Sequence, residues 1–453
     1  MRRVRRVLTA AFALTLSTVG ATAVASTGTM TRYAIVQRIA GPANVVAWDY
    51  VTVDSRLQRL FMATLQSQTA AHYTGGITAV ALRSGTVTGR LVKDAMPHEV
   101  VILGKGMAAA ADAGSHGVLF FDETTGRIRA RVLTGGSRDG WHDPDSLLRE
   151  PGTPLLVAVN HDSGVLVLVD SLKRLVVGRI RVGGVLEAAT AGSRGTVFVN
   201  VASRGTIAVV DLPGRRVVRE LPMGGCREPT GIGFDAADRL VISVCSNGIA
   251  KFLDPHSGVA LASIPVGKGA DGVIYDKQRK LVFIAGGLNG TLSIIRIRSR
   301  NRIELVQSVS VPVGTRLGAL DRASGKVYLP SANYDRTAPR LRIPGLPPLP
   351  RIEPGSFALL VLAPIGPDAM LGPRSNGEKR VAWSSRAGLA RESGHRSASN
   401  DQRRFALEQA PMLQLMSAQE SRNRSARGRP HPTWTSTQEF QSQWPTFQQP
   451  RGP

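Results

Sequence analysis

The stretch Ser203–Asp211, SRGTIAVVD, reads as a tight turn, a short apolar strand and a terminal aspartate. Ser, Arg and Gly make the turn, and the β-branched Thr, Ile and Val favour a pleated, buried strand. The same phrase returns along the chain. GITAVAL ends at Leu82, HGVLFFD at Asp122, SGVLVLVD at Asp170, RGTIAVVD at Asp211, NGIAKFLD at Asp254, NGTLSIIR at Arg296 and GSFALLVL at Leu362. Successive ends are 40, 48, 41, 43, 42 and 66 residues apart. A period near 40 with only strands inside it is the signature of propeller blades.

Each unit keeps one order. A Gly-rich approach leads to a short strand such as TGIGFD, then to an alternating strand such as RLVISVC or KLVFIAG. The quoted phrase follows as third strand, and a turn leads to a fourth, as in RRVVRELPM. No unit carries a helical repeat of ten residues, so the fold class is all-β, a seven-bladed β-propeller. The seventh unit lacks a fourth strand after Leu362, and YAIVQRIA, Tyr33–Ala40, is a fourth strand with no blade before it. The sequence therefore predicts that the N-terminal strand closes the ring in the last blade, which removes the weakest seam. The long last gap holds the Pro-rich Arg336–Gly355, which cannot be a central strand and is expected to be an irregular loop over one face. The propeller is expected over residues 33–364.

The flanks read differently. Arg2, Arg3, Arg5 and Arg6 precede the apolar Val7–Val19, and small residues stand before Ser26, so residues 1–25 are expected to be a cleavable export signal. The alternative is an uncleaved anchor. No later segment is apolar enough to cross a bilayer, so the mature chain is expected to lack a membrane span and to be periplasmic or secreted. Residues 366–453 are rich in Arg, Ser, Gln and Pro, with 13 basic and 7 acidic residues, and are expected to form a disordered basic tail.

The 453-residue chain carries 57 Lys and Arg against 33 Asp and Glu, and only 9 of the bases are Lys. Residues 26–365 hold 40 basic and 26 acidic residues, a surplus of 14. That field admits a nucleic acid as partner, with Trp48, Tyr50 and Trp141 as stacking candidates; the alternative is an Arg-rich solvated surface. The two cysteines, Cys226 and Cys245, are a candidate disulfide in an exported chain, or else two buried thiols.

GIGFDAADRLVIS, GADGVIYDKQRKLVFIAGGLNGTLSII and LGALDRASGKVYLPSANY together resemble the YncE-type, or YVTN-repeat, seven-bladed propeller proteins. WDYVTVD at Trp48–Asp54, REPTGI at Arg227–Ile232 and IEPGSFALLVL at Ile352–Leu362 extend the likeness over residues 33 to 364. GKGMAAAADAGSHG and SRDGWHDPDS, in the second and third blades, depart from the pattern. The resemblance implies an exported propeller and little chemistry. Single-stranded DNA binding is suggested for one branch, and other relatives resemble subunits of quinoprotein dehydrogenases.

Propellers bind ligands at the mouth of the central channel, which is lined by the loops leading into each innermost strand. Read in register, those loops offer Asp49, Glu99, Asp139, Glu187, Glu228, Asp271 and, in the seventh blade, Arg316. Like charges gathered in a channel disfavour one another's ionisation unless cations or donors compensate. His98, Arg138, Arg227, Lys268 and Arg316 are the nearby compensators. One reading is a pocket for a cationic group or a hard metal ion; the other is that each carboxylate caps backbone amides. Trp48 either stacks a ligand ring or packs at a strand start. The histidines show no metal-binding spacing, no G-x-S-x-G elbow is present, and the Gly-rich GKGADG lacks P-loop spacing. No catalytic residue and no cofactor is predicted beyond a metal ion at the mouth. The sequence favours a binding or scaffold propeller for a protein, peptide or small ligand. The alternatives are a nucleic-acid binder and a metal-assisted hydrolase or dehydrogenase-associated subunit.

Overall fold

Seven four-stranded antiparallel sheets stand around a central axis in the computed structural model, which describes residues 32–69, 72–135, 143–335, 337–343 and 348–366. The expected export segment lies outside the described residues, as does the tail beyond Gly366. The recurring third strands are Tyr73–Ala81, Gly117–Asp122, Val165–Asp170, Thr206–Asp211, Ile249–Leu253, Thr291–Ser299 and Ala358–Ile365. Helix among the described residues is limited to the single turns Ala113–Ser115 and Ala202–Arg204. None is long and apolar enough to cross a membrane.

Burial explains the sequence texture of each blade. The second and third strands are covered on both faces, so they read as continuous apolar runs: Met107–Asp112 and Leu240–Cys245 are buried almost throughout. The fourth strands form the outer edge, and Arg216–Pro222 accordingly carries charged, exposed residues. Apolar side chains of neighbouring blades interlock. Leu166 and Leu168 of the third blade pack with Val197 and Val199 of the fourth. The innermost strands touch one another in sequence, and the seventh, Ala319–Asp321, meets the first, Val45–Asp54, so the ring is closed.

The seam is the one the sequence predicts. Arg32–Ala40 pairs antiparallel with Ala358–Ile365, from Arg32 opposite Ile365 to Ala40 opposite Ala358. Tyr33 is buried and its ring meets Phe283 of the sixth blade edge-on. The Pro-rich segment enters after the second strand of the seventh blade, Lys326–Ser331. It is not wholly irregular: Tyr334–Asp335 pairs with Arg351–Ile352, and Leu341 and Leu349 bridge and are buried. Arg336 and residues 344–347 lie outside the described residues.

Candidate functional site at the channel mouth

The innermost strands carry their functional side chains at irregularities in the ladder. Pairing of the first blade's inner strand is interrupted between Trp48 and Val51, which frees Asp49 and Tyr50. In the second blade the interruption falls between Pro97 and Val100 and frees His98 and Glu99. In the fourth it falls between Leu186 and Ala189, at Glu187. In the fifth it falls between Pro229 and Ile232, at Thr230. A bulge of this kind turns side chains away from the regular pleat, here toward the axis. Asp145, Asp271 and Arg316 stand just before the paired part of their strands.

Register fixes which residue belongs to the ring. Asp49, Glu99, Asp271 and Arg316 each precede the last residue of their inner strand by five positions, Asp145 and Glu187 by four. The same count in the fifth blade lands on Thr230, not Glu228. Thr230 is buried, and its hydroxyl donates to the carbonyl of Ala270 at 2.9 Å. Glu228 sits two residues nearer the loop, with a positive φ of 48°, and accepts from Ser246 Oγ at 2.9 Å. Cys226 is joined to Cys245 in a disulfide, Cα–Cα 5.4 Å, which ties this lead-in loop to the blade's second strand. Asp139, Arg138, Trp141 and His142 lie outside the described residues, and Asp145 is the third-blade carboxylate that the described residues bring into the cluster.

The contacts of the ring run between blades. His98 Nδ1 lies 2.5 Å from Asp49 Oδ2 in the first blade and 3.3 Å from Asp145 Oδ1 in the third. Glu99 Oε2 accepts from Ser146 Oγ at 2.7 Å and from the Leu147 amide at 3.0 Å. Arg316 Nε donates to Asp271 at 2.8 Å, and its Nη2 lies 3.4 Å from the carbonyl of Trp48. His161 enters from the turn between the second and third strands of the third blade. It is 3 % exposed, and its Nδ1 lies 3.6 Å from Glu187 Oε1. Arg227 and Lys268, expected as compensators, are exposed.

The electrostatics follow from this gathering. Burial, and then the charges of Asp145 and Asp49, push Glu99 up to about 7 against the pull of its two donors. Burial followed by Asp145, Asp271, Asp49 and Glu228 raises Glu187 well above the carboxylate range. Asp271 is also raised, by burial, although Arg316 opposes this. Burial works against the Arg316 charge, but Asp271 and Asp49 more than offset it and raise the group further. Tyr50 is pushed up by burial, then by Asp145, Glu99, Asp271 and Glu187, so its hydroxyl stays a neutral donor. Five carboxylates of the ring, Asp49, Glu99, Asp145, Glu187 and Asp271, with Glu228 nearby, thus face one guanidinium and two imidazoles among the described residues.

Trp48 packs rather than offering a face. It is buried, stacks on Tyr334 of the Pro-rich segment at 6.4 Å and leans on Phe357 at 5.1 Å. Sequence reasoning missed His161 and Asp145. Asp145 had a signal, a spacing of four residues to the strand end, which Glu187 shares and which is one short of that of Asp49, Asp271 and Arg316. His161 had none in the lead-in loops, because it arrives from a different turn.

No family model and no curated protein matches the chain. Solved structures show similarity of fold. A chain of Kuenenia stuttgartiensis hydrazine synthase is 14 % identical with TM-score 0.53, covering 63 % of this chain and 92 % of its own. U3-55K is 13 % identical with TM-score 0.55, covering 73 % and 98 %. A chain of the mitotic checkpoint complex is 10 % identical with TM-score 0.56, covering 80 % and 98 %. At these identities the likeness establishes the β-propeller and nothing of its chemistry, and the YncE-type resemblance stays a sequence reading.

Proposed function

We propose that the chain is an exported propeller that acts as a binding scaffold, and that its working site is the channel mouth, which takes up a positively charged group. The observation that carries this is the imbalance at one level of the ring: five carboxylates, with Glu228 close by, against the single guanidinium of Arg316. Carboxylates that raise one another's proton affinity are held there at a cost, and a cation supplied by a ligand removes it. The Pro-rich segment adds to the same face, since Tyr334 lies against Trp48 beside Arg316. Export is supported by the N-terminal basic and apolar segments and by the Cys226–Cys245 disulfide, a bond that persists in oxidising compartments. The propeller of the mitotic checkpoint complex comes from a named assembly, which agrees with a scaffold role. A nucleic acid would find its phosphates repelled at this mouth.

The test is a titration of the purified chain with a short arginine-bearing peptide. Binding should weaken at least tenfold on Glu187→Gln combined with Asp271→Asn, and also with rising salt. Equal binding by the two proteins would remove the mouth as the working site.

A further inference from the structure

Two groups of side chains in the ring have the composition of metal ligands rather than of a purely acidic patch. Asp49, His98 and Asp145 place three donor atoms within 4.8 Å of one another, and so do Asp145, His161 and Glu187. Each group offers one imidazole nitrogen and two carboxylate oxygens, the mixture that suits divalent transition metals. Donors about 2.1 Å from such an ion stand about 3.4 Å apart in a tetrahedral arrangement, so side-chain adjustments of an ångström or so would complete either set. The two groups share only Asp145, whose side chain is 10 % exposed. A carboxylate has two oxygens and can serve two ions at once, as bridging carboxylates do in paired sites.

Three further observations point the same way. One nitrogen, His98 Nδ1, is hydrogen-bonded to Asp49 Oδ2 at 2.5 Å and lies 3.3 Å from Asp145 Oδ1, so a cation that takes the place of the shared proton, with Asp49 drawn back, meets all three donors. The ligands are set by rigid elements: Asp49 and His98 by bulges in two neighbouring inner strands, Glu187 by a third, Asp145 beside the start of a fourth. Glu99 already caps Ser146 and Leu147, the residues that follow Asp145, and so fixes the segment that would carry the shared ligand.

We infer that Asp49, His98, Asp145, His161 and Glu187 hold two divalent transition-metal ions, with Asp145 ligating both. This rests on the reading of the mouth as a cation site and names the cation. Each ion would keep positions open to a ligand that offers oxygen.

The experiment uses the purified full chain, stripped with a chelator, loaded with Zn²⁺ or Mn²⁺, desalted and analysed for metal content. About two ions per chain are expected in the wild type. His98→Ala and His161→Ala should each retain about one, and Asp145→Ala should lose both, with at least tenfold weaker uptake in titrations. Circular dichroism and the urea midpoint show that each variant is folded, and Asp145→Asn, which keeps size and one donor oxygen, serves where Asp145→Ala does not fold. Fewer than about 0.2 ions per chain in the wild type would overturn the inference, as would a folded Asp145→Ala that keeps either ion. Arginine-peptide binding by a wild type that takes up no metal would sink this inference while leaving the mouth as a binding site. Loss of both would sink the two together.

Discussion

The inner strands carry aspartates and glutamates at both ends, and the two ends treat them in opposite ways. At the mouth, Glu99, Glu187 and Asp271 are raised above the ordinary carboxylate range. At the other end of inner strands in other blades, Asp235 and Asp321 are lowered. Burial works against the charge at both ends. What differs is the company. Asp235 receives the Ala237 amide at 3.0 Å and Lys280 Nζ at 3.0 Å. Asp321 receives Ser324 Oγ at 2.6 Å. The turn end supplies these carboxylates with amide, hydroxyl and ammonium donors, whereas the ring sets its carboxylates beside one another, with donors from Ser146, Leu147 and Arg316 that do not offset burial. A propeller can therefore use one end of its inner strands to gather charge and, in blades such as the fifth and seventh, the other end to terminate the strand on an aspartate.

The largest effect that would break this comparison comes from the turn end. Asp235→Ala leaves Lys280 without one of its two carboxylates and two turn amides without their acceptor, so it should cost roughly 3 kcal/mol in urea unfolding. A loss below about 1 kcal/mol would show that these aspartates do little more than start turns. Removing the disulfide with Cys226→Ala and Cys245→Ala should cost about 3 kcal/mol or somewhat less, because the bond closes a loop of sequence separation 19. That variant should also weaken ligand binding at the mouth, since the lead-in loop that bears Glu228 is no longer tied down. The mouth should respond with the opposite sign. Glu187→Gln removes one of several mutually repelling carboxylates and should raise the stability of the metal-free chain by about 1 kcal/mol at pH 8. A destabilisation as large as that of Asp235→Ala would mean that the ring is a structural network.

The blades were legible because the third strands repeat as covered apolar runs between Gly turns, and the closing strand because Tyr33–Ala40 had no blade of its own. The ring was legible only in part. Asp49, Glu99, Glu187, Asp271 and Arg316 fall where the lead-in loops place them. Glu228 misleads because the fifth blade's loop, pinned by Cys226, sets it two residues away from the position that Thr230 fills. The third blade offers Asp139, Asp143 and Asp145 in one long loop, and nothing local distinguishes them; only the distance to the strand end does. Trp48 stayed open between stacking and packing because the sequence does not show Tyr334, 286 positions later, lying against it. His161 depends on the fold alone, since it reaches the ring from another turn.

The smallest effect is the most diagnostic, because it sets the two ends against each other in one curve. A carboxyl whose folded pKa is raised holds its proton more tightly when folded, so its contribution is full below the unfolded value and fades as pH rises through the folded one. For Glu99 that window runs from 4.5 to about 7. Glu123 is the exception at the turn end: buried beside Asp54 and pushed up by burial and then by that neighbour, it adds to the same alkaline limb, with a window from 4.5 to about 8. The lowered Asp235 and Asp321 act with the opposite sign: their contribution is full above the ordinary aspartate value and is lost as pH falls below it. The chelator-treated chain should therefore be most stable in mildly acidic solution, with stability falling both toward strong acid and toward pH 8. Urea midpoints at successive pH values test this, and Glu99→Gln with Glu123→Gln should flatten the alkaline limb while leaving the acid limb in place. A stability maximum at pH 8 in the wild type would show that the carboxylates of the ring are compensated within the protein itself, and the argument for a cation at the mouth would lose its driving force.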